Sequence, residues 1–232
     1  MMISASNLPP PHEYFTAKDD KRPQPTSVIL LPSFTVLESV TPDDATEVIT
    51  KFVNTGPTTK APLAAESTAE SDAPAESEKT AETTEAAVSD QLANLALSPS
   101  ALAPRTLATH PYPHDYLILL CSHRYRDARC GISAPILRKE FEKHLRSLGL
   151  WRDLTDKRPG GASVVFINHV GGHKYAANVL IYRKQDGQGM WLARVSPKHV
   201  EGIVKHTIIK GKIVHPEQIR GGFDRSRGVA SW

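Results

Sequence analysis

The chain has 232 residues, a net charge of +3 and 40% hydrophobic residues, which allows one or two soluble domains. It has two cysteines, Cys121 and Cys130, and its N-terminus has neither a basic nor an apolar stretch; both features argue against a secreted disulfide framework and a presequence. No apolar run reaches the length of a membrane span, so the expected setting is a reducing cytoplasm with no membrane partner.

The charge is uneven. Residues 58–104 hold eight acidic residues and two lysines, net −6, which leaves +9 for the rest. A basic surface of that size fits nucleic acid, an anionic lipid face or an acidic protein. With no aromatic-interleaved basic patch, zinc-finger spacing or RNA-binding signature, nucleic acid is not an expected partner.

Residues 1–57 begin Pro-rich and predict one strand from Ser27, then a short helix over Asp43–Val53 with Thr41 or Asp43 as its cap. A lone strand and one helix cannot bury a core. The segment reads as a partial N-terminal remnant of a domain, or as a flap packed on the later domain. Residues 58–105 are rich in Ala, Glu, Ser, Thr and Pro without an aromatic residue, the composition of a disordered acidic linker. Within it, Gln91–Leu97 is mildly amphipathic and reads as a transient helix.

Residues 106–232 read as a compact α/β domain. Tyr116–Leu120 is a continuous apolar run, as in a buried central strand. A helix comes next, with Ser133 as cap, Pro135 in its first turn and Ile136, Leu137, Phe141, Leu145 and Leu148 on one face; Gly149 closes it. Further strands are predicted at Ser163–Ile167, Asn178–Tyr182 and Met190–Val195, the last two joined as a hairpin through Gln185–Gly189. A final helix starts at Pro197. The order β-α-β-β-β-α predicts a thioredoxin-like sheet, with its first helix leaving directly from the cysteine loop.

Cys121 and Cys130 bracket the loop C-S-H-R-Y-R-D-A-R-C, and His169 and His173 sit in N-H-V-G-G-H-K after the next strand. Gly171 and Gly172 allow a tight turn and close backbone approach. Two thiolates and two imidazoles in local pairs make a four-ligand set. It fits zinc, or an iron–sulfur cluster in which imidazoles replace two thiolates. Without C-x-x-C, a dithiol oxidoreductase is poorly supported. His123 inside the cysteine loop reads as a neighbour of the site, not as a ligand. Arg124, Arg126 and Arg129 favour thiolate or dock an acidic partner, Asp127 is placed to hold an arginine or a loop amide, and Lys174 tunes the site or its docking. The other histidines read as ordinary polar residues.

The strings C-S-H-R-Y-R-D-A-R-C-G-I-S-A-P-I-L, H-V-G-G-H-K-Y-A-A-N-V-L-I-Y and W-L-A-R-V-S-P resemble the sucrase/ferredoxin-like family of fungi and plants. The resemblance implies a thioredoxin-like ferredoxin carrying a [2Fe–2S] cluster on Cys121, Cys130, His169 and His173. It implies no glycosidase chemistry, and no paired-carboxylate site is found. The family has a longer, thioredoxin-like N-terminal half, of which residues 1–57 resemble the last portion. The terminal Ser231 and Trp232 resemble tails read by the cytosolic iron–sulfur targeting machinery, although Ala230 departs from the aliphatic preference there. The same resemblance offers electron exchange with a diflavin-type reductase. The expected function is a non-enzymatic electron carrier. The alternatives are a structural zinc module, or an adaptor with a vestigial site.

Overall fold

The computed structural model describes residues 3–11, 14, 24–55, 107–170 and 174–224, and the backbone of 228–230. The acidic segment with Gln91–Leu97, His173 with its preceding glycines, and Ser231 and Trp232 lie outside the described residues. The described residues belong to one compact unit, Met1–Leu63 with Leu107–Trp232.

The fold is mixed α/β. Its main sheet is built on β4 (Tyr116–Cys121), which carries the apolar run foreseen in the sequence. β4 pairs in parallel with β6 (Ala162–Ile167) and antiparallel with β7 (Val179–Arg183). β7 turns into β8 (Gln188–Leu192), and Gly187 supplies the positive φ of that hairpin. β5 (Trp151–Arg152) lies beyond β6, while β9 (Ile219–Asp224) and β10 (Gly228–Ala230) extend the other edge. The sheet order is β10-β9-β8-β7-β4-β6-β5.

The pleat of β4 divides the core. Ile118 and Leu120 face helices α2 (Ala128–Ser147) and α3 (Pro197–Gly202), which runs on as wider turns through Ile203–Ile208. Leu117, Leu119 and Cys121 point the opposite way, into a second cluster with Phe34, Val36 and Val170.

Three expectations are corrected. The N-terminal strand is not alone: β1 (Thr26–Leu30) pairs with β2 (Thr35–Val40), and β2 with β3 (Thr109–Pro111). This small sheet covers the second cluster, and with α1 (Ala45–Glu47) and Val48–Val53 it buries Leu37, Val40, Val48 and Leu107. β2 escapes sequence reading because Ser39 takes a positive φ and breaks the alternation. Second, α2 starts at Ala128 and its cap is Asp127, six residues ahead of Ser133, so Pro135 lies inside the helix. Third, Ile136 and Leu148 are exposed; the buried stripe of α2 is Cys130, Ala134, Leu137, Phe141 and Leu145.

Candidate metal centre

The end of β4, the start of α2 and the end of β6 meet at one corner of the sheet. Cys121 is the last residue of β4 and Cys130 the third of α2; both are buried and free of disulfide. Their thiols are hydrogen-bonded to each other. The backbone amides of Val170 and His123 are also directed at the Cys121 sulfur. Burial first, and then the neighbouring Cys130, push the Cys121 thiol up to about 11; the two amides favour the thiolate and oppose that rise.

The cysteine loop is held at both ends. Ser122 donates its amide and its hydroxyl to the Ile167 carbonyl, at 2.9 and 3.0 Å, and so ties the loop to the end of β6. Asp127 accepts the Arg129 amide at 3.0 Å and pairs with the Arg129 guanidinium at 2.9 Å. A carboxylate at this position caps α2 and complements the positive end of its dipole. The His123 carbonyl accepts the amides of Arg126 and Asp127, which folds the loop back on itself. Gly131 makes this possible: a Cβ there would stand 2.7 Å from the Arg124 Cβ, so only glycine lets the loop lie against the helix. The side chains of His123, Arg124, Tyr125, Arg126 and Arg129 are exposed.

The histidine loop begins where β6 ends. Asn168 accepts from the Ser4 hydroxyl at 2.6 Å and the Ala5 amide at 3.1 Å, and its own amide donates to the Ala5 carbonyl at 2.9 Å. An N-terminal strap thus holds the residue before His169. His169 is half-buried, and Val170 beside it is buried with both cysteines. The far end of the loop is fixed by Asn178, which sequence reasoning took only for the start of a strand. Its carbonyl accepts the Cys121 amide at 3.1 Å. Its side chain donates to the Tyr175 carbonyl at 2.9 Å and accepts the Trp191 indole N–H at 3.1 Å.

The structure therefore brings Cys121, Cys130 and the His169–Val170 backbone to one corner. Among the described residues, no group of three or more His, Cys, Asp or Glu side chains gathers as a metal site, and His173 falls outside that set. Lys174 is exposed. Other histidines serve the fold: His114 is buried between the Ser163 hydroxyl and the Asp156 carbonyl, and His199 accepts the Ser196 amide at the start of α3. Among the described residues, no helix is long and apolar enough to cross a membrane.

The family model described as Sucrase/ferredoxin-like matches residues 1–221. Among curated relatives, the chain is 47% identical over 105 residues to Actin patches distal protein 1 of Saccharomyces cerevisiae, which covers 44% of this chain and 33% of that protein. It is 41% identical over 101 residues to Altered inheritance of mitochondria protein 32 of Clavispora lusitaniae, covering 44% and 33%. The namesake of the latter in Meyerozyma guilliermondii is 38% identical over 107 residues, covering 46% and 34%. The matched stretches thus span about a third of the length of these relatives. No solved structure matches the chain.

Proposed function

The chain belongs to the sucrase/ferredoxin-like family, and we propose that it is a one-electron carrier holding a [2Fe–2S] cluster on Cys121, Cys130, His169 and His173. One observation carries this reading. The Cys121 sulfur meets both the Cys130 thiol and the amide of Val170, the residue beside His169. Two loops distant in sequence therefore share one sulfur. A buried pair of thiols beside the backbone of a loop that carries two histidines supplies the donor types of a mixed sulfur–nitrogen centre.

Such a cluster, when bound, supplies one-electron chemistry at a potential that imidazole ligation raises above that of an all-cysteine site. The protein's own groups do the rest. The Cys121 thiol, pushed up by burial, holds its proton at neutral pH and must give it up to ligate. The amides of Val170 and His123 then stabilise the sulfur's negative charge. The apolar cluster of Phe34, Leu119, Ile167 and Val170 keeps water from the sulfurs. Arg124 and Arg126, exposed on the loop, offset negative charge above them. The core order β6-β4-β7-β8, with a parallel pair followed by two antiparallel steps, supports a thioredoxin-like assignment for this part of the fold.

On this reading the protein works in the cytoplasm without catalysing a reaction of its own. It receives its cluster from the cytosolic iron–sulfur targeting machinery through Ser231 and Trp232, and exchanges electrons with a diflavin-type reductase. The names of the relatives speak of actin patches and of mitochondrial inheritance, in those proteins. A structural zinc ion on the same donors is the competing occupant, since buried thiols and imidazole suit it equally. Low-temperature EPR of the anaerobically reconstituted, reduced chain separates the two. A signal that changes shape in His169→Ala supports the cluster; a silent, colourless protein holding zinc overturns it.

A further inference from the structure

Where the histidine loop rejoins the sheet, three cations gather on one aromatic ring. The guanidinium carbons of Arg194 and Arg220 each lie 4.8 Å from the centre of the Tyr175 ring, and the Lys174 Nζ lies 5.5 Å from it. Arg220 also sits 5.8 Å from the Trp191 ring. None of the three forms an ion pair among the described residues. Glu217 does not compensate them: it turns its carboxylate to His215 at 3.3 Å and accepts from Arg194 with its carbonyl.

The platform is fixed from below. The Arg194 amide donates to the Ala176 carbonyl at 2.9 Å, and Asn178 bonds both the Tyr175 carbonyl and the Trp191 indole. Aromatic faces attract cations one at a time, but they do not neutralise them. Three like charges around one ring leave a positive potential that the described fold does not use. Lys174 and Arg194 are exposed, so this is open surface, unlike the enclosed clefts that bury small ligands. A second copy apposed through this same patch would bring like charges together. Open, cationic and pre-organised, the surface matches the carboxylates of an acidic protein segment.

We propose that Tyr175 with Lys174, Arg194 and Arg220 is a docking site for an acidic segment of a partner protein. The site stands whatever Cys121 and Cys130 hold, so its test needs no loaded metal.

The test is a fluorescence-anisotropy titration of a labelled hexaglutamate peptide into the full chain at low ionic strength. The Arg194→Gln, Arg220→Gln double variant should weaken binding about tenfold, as expected for losing a pair of charge contacts. Lys143→Gln removes a cation that pairs with Glu140 on α2, and should bind as wild type. Unchanged affinity in the double variant overturns the proposal. So does an equal loss in Arg124→Gln, Arg126→Gln, which would mean that basic charge anywhere suffices. Stronger binding of inorganic pyrophosphate than of peptide, lost in the same double variant, would make the occupant a small oxyanion and would also overturn it.

Discussion

The Cys121 amide donates to the Asn178 carbonyl at 3.1 Å, and through that bond the last residue of β4 is registered against the exit of the histidine loop. Asn178 is buried, and its side chain bridges Tyr175 and Trp191. One polar residue thus couples a candidate ligand, a candidate ligand loop and the neighbouring strand. Asn178→Ala leaves the Tyr175 carbonyl and the Trp191 N–H without this partner. It should cost about 1–3 kcal/mol in urea unfolding. Asn178→Asp keeps an acceptor for Trp191 but sets negative charge against the Tyr175 carbonyl. It should preserve the Trp191 environment in fluorescence while speeding amide exchange at 174–176.

Gly131→Ala is expected to destabilise although alanine favours helices by about 1 kcal/mol. The new Cβ would lie 2.7 Å from the Arg124 Cβ and 2.9 Å from its Cα, so the loop backbone must move. A net loss of about 1–2 kcal/mol is expected from overpacking. Faster thiol alkylation of Cys121 or Cys130 should accompany the loss, because the displaced loop joins the two cysteines and Cys130 precedes Gly131.

Uptake of metal or cluster should grow stronger as pH rises from 6 to 8. Burial and Cys130 hold the Cys121 thiol in its protonated form up to about 11, so ligation displaces protons and competes with them. Isothermal titration with zinc in two buffers of different ionisation enthalpy should show proton release, and affinity should increase with pH. A pH-independent affinity without proton release would mean that these thiols are not ligands.

Acid should weaken the fold before carboxylates titrate. Burial lowers the pKa of His114 and His199, and His215 lowers that of His199 further. A depressed imidazole takes its proton more readily in the unfolded chain. Stability is therefore full above the ordinary histidine value near 6.5 and falls as pH drops through it towards the folded values. His199→Asn retains an acceptor for the Ser196 amide and removes one titration. Its urea midpoint should change less between pH 7.5 and 5.5 than that of the wild type.

Much of the architecture was legible because apolar runs and punctuation agreed. Tyr116–Leu120 carried the apolar run of a buried strand, and Pro197 marked a helix start. β9 was not legible, since Ile219–Asp224 carries two glycines and no alternation; its place is set by pairing with β8, where Gly189 leaves room for the Phe223 ring. The cap of α2 was misplaced because Ser133 and Pro135 imitate a helix start, while Asp127 wins by also pairing with Arg129. At the site, the cysteine pair was visible from spacing. Asn178 and Gly131 were not, because what selects them is a neighbour distant in sequence or a close backbone approach.

Iron and acid-labile sulfide, measured against zinc on the anaerobically purified 232-residue chain, test the central claim most directly. The account predicts about two irons and two sulfides per chain, with both lost in Cys121→Ser and Cys130→Ser. A chain that holds stoichiometric zinc, or no metal, with no sulfide would contradict it.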